Sequence, residues 1–168
     1  MIYLVSDHAG FELKEEIKKF LKLKNIVYED LGAHKFEAQD DYPDFILPAA
    51  KKVAENSNNK GIILGGSGQG EAVVANKVKG IRAVVYYGGP KEILKLSREH
   101  NNANILSLGA RFLTKSDIPD IIETWINTEF SQEERHTRRI QKISKYEENY
   151  VNMTYPNLVN VKSPLSNI

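Results

Sequence analysis

Cysteine is absent from this chain of 168 residues. Disulfides and thiolate chemistry are therefore excluded, which suits a reducing compartment. A surplus of charge is missing too. Lys and Arg number 23 against 22 Asp and Glu, a net charge of +1, so no broad field draws in nucleic acid or an anionic membrane. No apolar run approaches the ~20 residues of a membrane span. The opening Met1-Ile2-Tyr3-Leu4-Val5-Ser6-Asp7 meets an acid too early for a signal peptide. A soluble cytoplasmic protein that binds neither nucleic acid nor membrane is the expectation. Internal repeats and charge blocks are also missing. The length fits one domain, and a chain of this size buries roughly 70% of its unfolded surface.

What is present is alternation. Apolar runs at Ile2–Val5, 26–28, Gly61–Leu64, Ile81–Tyr87 and Asn104–Leu108 read as five strands. Helical stripes lie between them. Leu13, Ile17, Phe20 and Leu21 form the first, and Ile46, Ala49, Ala50, Val53 and Ala54 the second, with Pro43 near its start. Gly88-Gly89-Pro90 opens a helix running to about His100. Ile118, Ile121, Ile122, Trp125 and Ile126 follow, capped by Ser116 or Asp117. A last helix starts at Ser131, where Ser131 and Glu134 match a capping box. Strands alternating with helices predict an α/β fold, a three-layer α/β/α sandwich around a five-stranded parallel, Rossmann-like sheet. Residues 1–150 are expected to form one domain. The stretch from Val151 to Ile168, with four Asn, two Pro and Lys162 as its single charge, reads as a frayed tail or as an arm on a partner subunit.

The most telling segment is Gly65-Gly66-Ser67-Gly68-Gln69-Gly70, followed by Glu71. Strand, glycine loop and helix start in that order leave backbone N–H groups free for negative oxygens. It is not a P-loop, because Glu71 and Ala72 stand where Lys and Ser/Thr would be. It is not a dinucleotide fingerprint either, since no register supplies the required glycine spacing. A glycine-rich turn is the plain alternative. A carboxylate at the mouth of an anion site does not hold the anion; Glu71 reads as a base beside it, or as an ordinary acid in a first helical turn. In parallel sheets ligands gather at the carboxyl ends of the strands. Asp7 and His8, the glycine loop and Arg111 would share that edge.

Other polar residues keep two readings each. Asp7 is a turn or capping residue, or part of the chemistry. His8 offers a proton or binds phosphate. His100 caps a helix C-terminus, or acts in a site. Arg135 and Arg139 share a helix face and repel by about 0.2–0.5 kcal/mol, a penalty that a bound phosphate would reverse. His136 lies one residue off that line, and His34 is assigned nothing.

Taken together, several strings resemble the ribose-5-phosphate isomerase B family, which includes galactose-6-phosphate and allose-phosphate isomerase relatives. They are Ser6-Asp7-His8-Ala9-Gly10, Asp41-Tyr42-Pro43, Gly65 to Glu71, Ala75-Asn76-Lys77, Gly80-Ile81-Arg82, Arg98-Glu99-His100-Asn101-Asn102, Gly109-Ala110-Arg111 and Arg135-His136-Thr137-Arg138-Arg139. The resemblance spans about residues 1–150. The family uses either a cysteine just before the loop or a glutamate just after it as base. Gly65 closes the first route, and Glu71 matches the second, with Gln69 in place of the usual Asn. The resemblance implies aldose–ketose isomerisation through a cis-enediolate, without metal or organic cofactor. Glu71 would be the base. The amides of Gly66, Gly68, Gln69 and Gly70, with Ser67, would form the anion hole. His100 would open the sugar ring, Asp7 would move protons among hydroxyls, and Tyr42 and Asn101 would hold the sugar. His8, Arg111, Arg135 and Arg139 would clasp the phosphate. The family site lies between subunits, so a homodimer with shared sites, or a dimer of dimers, is implied. Hexose 6-phosphate isomerisation and a non-catalytic sugar-phosphate module remain the alternatives.

Overall fold

The computed structural model describes the backbone of residues 1–154 and the side chains of residues 1–149. The chain forms two compact units, Met1–Gln132 and a second that begins at Glu133. In the first, strands β1 (Ile2–Ser6), β2 (Tyr28–Asp30), β3 (Lys60–Gly65), β4 (Ala83–Tyr86) and β5 (Ile105–Gly109) alternate with helices α1 (Phe11–Leu23), α2 (Tyr42–Ala54), α3 (Gln69–Ala75), α4 (Glu92–Glu99) and α5 (Ile118–Asn127). The strands lie in the order β2-β1-β3-β5-β4, and every pairing is parallel.

Side chains alternate across each strand, and both faces are covered. Ile2, Leu4, Ile62, Leu64, Leu106 and Leu108 face a core closed by Ile17 and Leu21 of α1 and Ile121, Ile122 and Trp125 of α5. Tyr3, Val5, Ile63 and Ile105 face the other way, onto Ile46, Ala50 and Val53 of α2. The expected three-layer α/β/α sandwich is present in this unit.

Several boundaries differ from the sequence reading, each because a residue is spent on a turn. Strand β2 starts at Tyr28 rather than Ile26, because the Ile26 amide bonds back to Leu21 O and finishes α1. Strand β4 starts at Ala83, because the Ile81 amide closes a turn onto Val78 O. The cap before α5 is neither Ser116 nor Asp117 alone. Thr114 and Asp117 cap each other reciprocally ahead of a 3₁₀ turn, Lys115–Asp117, with the Thr114 amide 2.8 Å from Asp117 Oδ2.

The second unit contains helix α6 (Glu134–Thr154). It starts three residues after Ser131, since Glu133 O accepts its first bonds, from the amides of His136 and Thr137. Residues 151–154 continue the helix; the rest of the tail, 155–168, lies outside the described residues. No described helix is long and apolar enough to cross a membrane.

Candidate active site

The chain leaves β1 towards β2 on one side and returns to β3 on the other. Such a reversal opens a crevice at the carboxyl ends of the two inner strands. A cavity of about 340 Å³ lies there, lined by Asp7, His8, Tyr42, Gly66, Ser67, Gly70, Glu71, Arg111 and Phe112, among others. Eight residues predicted from sequence thus converge: Asp7, His8, Tyr42, Gly66, Ser67, Gly70, Glu71 and Arg111.

Glu71 sits in the first turn of α3 and is only 4% exposed. Burial pushes its carboxyl above the ordinary range; its own amide pulls the other way, and the Asp7 charge adds to the rise. The helix start does not win, contrary to what charge at an N-terminus alone suggests. A β-carbon at Gly65 would overlap the Glu71 carboxylate, so only glycine makes room for it. Gly68 has φ +75°, a left-handed conformation suited to glycine, and carries the chain into α3. Its carbonyl accepts from Ser107 Oγ at 2.6 Å, and the Ser67 hydroxyl accepts from the Gln69 amide at 3.3 Å. Gly68 therefore shapes the loop, and Gln69 is exposed.

Arg111 is brought alongside by backbone. The amides of Ala110 and Arg111 bond to Gly65 O and Gly66 O, at 2.9 and 3.1 Å. Its guanidinium rests against Gly66, where a side chain would crowd it.

Asp7 fulfils its capping reading. Its Oδ1 accepts from the amides of Ala9 and Gly10, at 3.0 and 3.1 Å, at the head of a 3₁₀ turn, His8–Gly10. Burial raises its pKa despite the Gly10 bond and the nearby His8. His8 Nδ1 lies 2.6 Å from Asp40 Oδ1 and 4.0 Å from Asp7 Oδ2. Hydrogen bonding to Asp40 raises the His8 pKa; burial opposes this, and Asp7 reinforces it. Asp7, His8 and Asp40 offer ligand atoms within 4.8 Å of one another. The imidazole nitrogen concerned already meets Asp40, so the trio reads as a hydrogen-bonded pair and a neighbour. Sequence reasoning missed Asp40 and Phe112. For Asp40 the one signal was its place beside the Asp41-Tyr42-Pro43 string.

His100 and Asn101 are elsewhere. They follow α4 and precede β5, at the amino ends of the strands. That loop is a braced shelf. Arg98, buried over the Trp125 ring, donates to Thr128 O, Asn102 Oδ1 and Ala103 O. Arg82 Nε donates to Asn101 O and Asn102 O at 3.1 and 3.0 Å. Asn102 takes φ 44° there, and Asn tolerates that conformation. Glu71 lies at the opposite edge. In the second unit, Arg135 Nε donates to Glu133 Oε2 at 2.9 Å, and Arg139 is exposed on α6.

The chain is similar over most of its length to proteins of known family. The Ribose/Galactose Isomerase family matches residues 2–143. A ribose-5-phosphate isomerase B of Mycolicibacterium paratuberculosis is 41% identical over 146 residues, covering 87% of this chain and 91% of that protein. The crystal structure of ribose-5-phosphate isomerase B from Mycoplasma genitalium with bound ribulose-5-phosphate has a TM-score of 0.82 and 42% identity, covering 88% of this chain and 95% of its own. The type B enzyme of Trypanosoma cruzi has a TM-score of 0.81 and 36% identity, covering 88% of this chain and 98% of its own. Family match, nearly full-length sequence similarity and fold agree, and the chain belongs to the Ribose/Galactose Isomerase family.

Proposed function

We propose that the chain interconverts ribose 5-phosphate and ribulose 5-phosphate through a cis-enediolate, with Glu71 as the base. The observation that carries this reading is the buried Glu71 carboxylate, its pKa raised by burial, facing a cavity beside the glycine loop. A base poised nearer neutrality than a free carboxylate suits proton transfer at carbon.

In the proposed step Glu71 takes the C2 proton of the open-chain aldose. The released electron pair forms the C1–C2 double bond, and negative charge passes to the carbonyl oxygen. Amides of Gly66 to Gly70, with Ser67, stabilise that oxygen. Return of the proton to C1, with proton transfer between the two oxygens, gives the ketose. The conversion is an internal redox exchange and needs no cofactor. Asp7 serves the hydroxyl transfers, and Tyr42 contacts the sugar. His8 and Arg111 grip the phosphate, together with Arg135 and Arg139 donated from the last helix of a second copy, and that remote binding aligns C2 with the base. Residues 1–150 then act as one catalytic module, in the cytoplasm.

His100 opens the furanose ring and Asn101 holds it, but both sit at the far edge of the sheet from Glu71. Strands of five residues put the two edges roughly 16 Å apart. A homodimer answers this: a second copy presents its His100 shelf to this copy's glycine loop, and two-fold symmetry does so twice.

The test compares kcat/KM for ribose 5-phosphate, allose 6-phosphate and galactose 6-phosphate in the native chain and in Glu71→Gln. Ribose 5-phosphate should lead by about tenfold or more. Glu71→Gln should lower kcat by about 10²–10⁴ with KM nearly unchanged. A preference for either hexose phosphate overturns the assigned substrate, and an equal loss of affinity and turnover overturns the base.

A further inference from the structure

Asp40 lies near the end of the loop between β2 and α2 and reaches 32 positions back along the chain, to the turn after β1. A single oxygen, Oδ1, accepts from the His8 amide at 3.1 Å and lies 2.6 Å from His8 Nδ1. The Asp40 side chain is only 8% exposed, and Oδ2 is buried without a hydrogen bond. Both hydrogen bonds described for this carboxylate go to His8. Tethering the loop would need the amide bond alone. The bond to the ring does something more: it fixes which imidazole nitrogen carries the inner proton and leaves Nε2 for the cavity that His8 lines. Phe36, on the same loop, meets the imidazole edge-to-face at 6.3 Å and limits its rotation.

We propose that Asp40 is a positioning residue for substrate binding: it clamps the His8 ring so that Nε2–H is presented to the phosphate of the sugar. The proposal rests on the reading that His8 grips phosphate. Charges facing His8 come from several elements. Asp7 is on its own turn and Asp40 on the loop, while Arg111 follows β5. Glu12 of α1 and Lys115 line an adjoining cavity with His8. Glu71 and Tyr42 line the shared cavity. Arg111 opposes a charged ring, and Asp40 is the carboxylate bonded to it. Removing the Asp40 charge should therefore lower the pH at which His8 loses its proton, and phosphate affinity should fall from that lower pH upward.

The experiment uses the full chain with Asp40→Asn, Asp40→Glu, His8→Asn and the double variant Asp40→Asn/His8→Asn. Imidazole titration by NMR, inorganic phosphate binding and steady-state kinetics are measured on each. In Asp40→Asn the His8 resonance should titrate at lower pH, phosphate affinity and KM should worsen about tenfold, and kcat should hold. The alkaline limb of kcat/KM should move down in pH with the imidazole. Asp40→Glu should recover part of the affinity, and Asp40→Asn should add nothing once His8 is gone. An unchanged His8 titration, or an equal Asp40→Asn effect in the His8→Asn background, overturns the proposal, and so does phosphate affinity indifferent to Asp40. NMR titration and phosphate binding need no turnover. A chain inactive on ribose 5-phosphate would remove the isomerase reading while the clamp still passes or fails on its own.

Discussion

Keeping Glu71 charged in a buried site opposes folding. Burial and the neighbouring Asp7 raise its native pKa above the unfolded value. The native state therefore holds this proton more tightly, so the ionised carboxylate destabilises the fold near neutrality and protonation relieves it. Glu71→Gln should then be more stable than the native chain at pH 7, with the gain shrinking as pH falls through the raised pKa. Urea unfolding at a series of pH values measures it, and a variant less stable at pH 7 contradicts the account. Glu71 was legible in the sequence because it directly follows a loop with more glycines than one turn requires. Its environment was not legible. The decisive contact is with Gly65, whose missing side chain is the space the carboxylate fills. Asp40 was illegible for a related reason: its partner His8 is far away in sequence, and no spacing rule links them.

At the scale of elements, one buried ion pair ties α1 to the end of β2. Lys14 is fully buried; its Nζ donates to Asp30 Oδ1 at 2.8 Å and to Ala33 O at 2.7 Å. Lys18 meets Asp30 Oδ2 at 2.7 Å, and the Gly32 amide donates to Oδ1 at 3.0 Å. Burial works against the Asp30 carboxylate, yet bonds from Lys14, Lys18 and Gly32 outweigh it and hold its pKa below the usual range. A depressed pKa contributes stability above the unfolded pKa, and that contribution is lost as pH falls through the folded one. Asp30→Ala should cost about 3 kcal/mol, because it strands a buried ammonium; Lys14→Met should cost less, about 1 kcal/mol. Equal losses in denaturant unfolding would show that the pair is not what matters. Periodicity and turn signals together located the five strands and five α-helices of this unit, but not its two 3₁₀ turns. Periodicity missed the ends, as at Ile26 and Ile81, because turn hydrogen bonds and not hydrophobic pattern decide them.

At the scale of the molecule, the parallel run of β3 and β5 puts Glu71, after the first, and His100, before the second, at opposite ends of the sheet. Glu71→Gln and His100→Ala should each be nearly inactive alone. Unfolded together and refolded as a mixture, they should recover roughly a quarter of native activity if the proposed homodimer shares its sites, since half the random dimers would be mixed and each mixed dimer would keep one intact site of two. No recovery in mixtures shown to contain mixed dimers would place both groups in a site made by one chain. The cluster at the carboxyl edge was foreseeable from alternating strands and helices. The distance of His100 and Asn101 from it was not, because a motif string names residues without placing them in space.

The braced shelf around Asn102 and the glycine loop thus face away from each other on every copy. On the proposed reading, in which the site joins both, a solitary molecule would be mute, and pairs alone would speak. Where chains are scarce, doubling their number should quadruple the flux, making abundance itself the throttle.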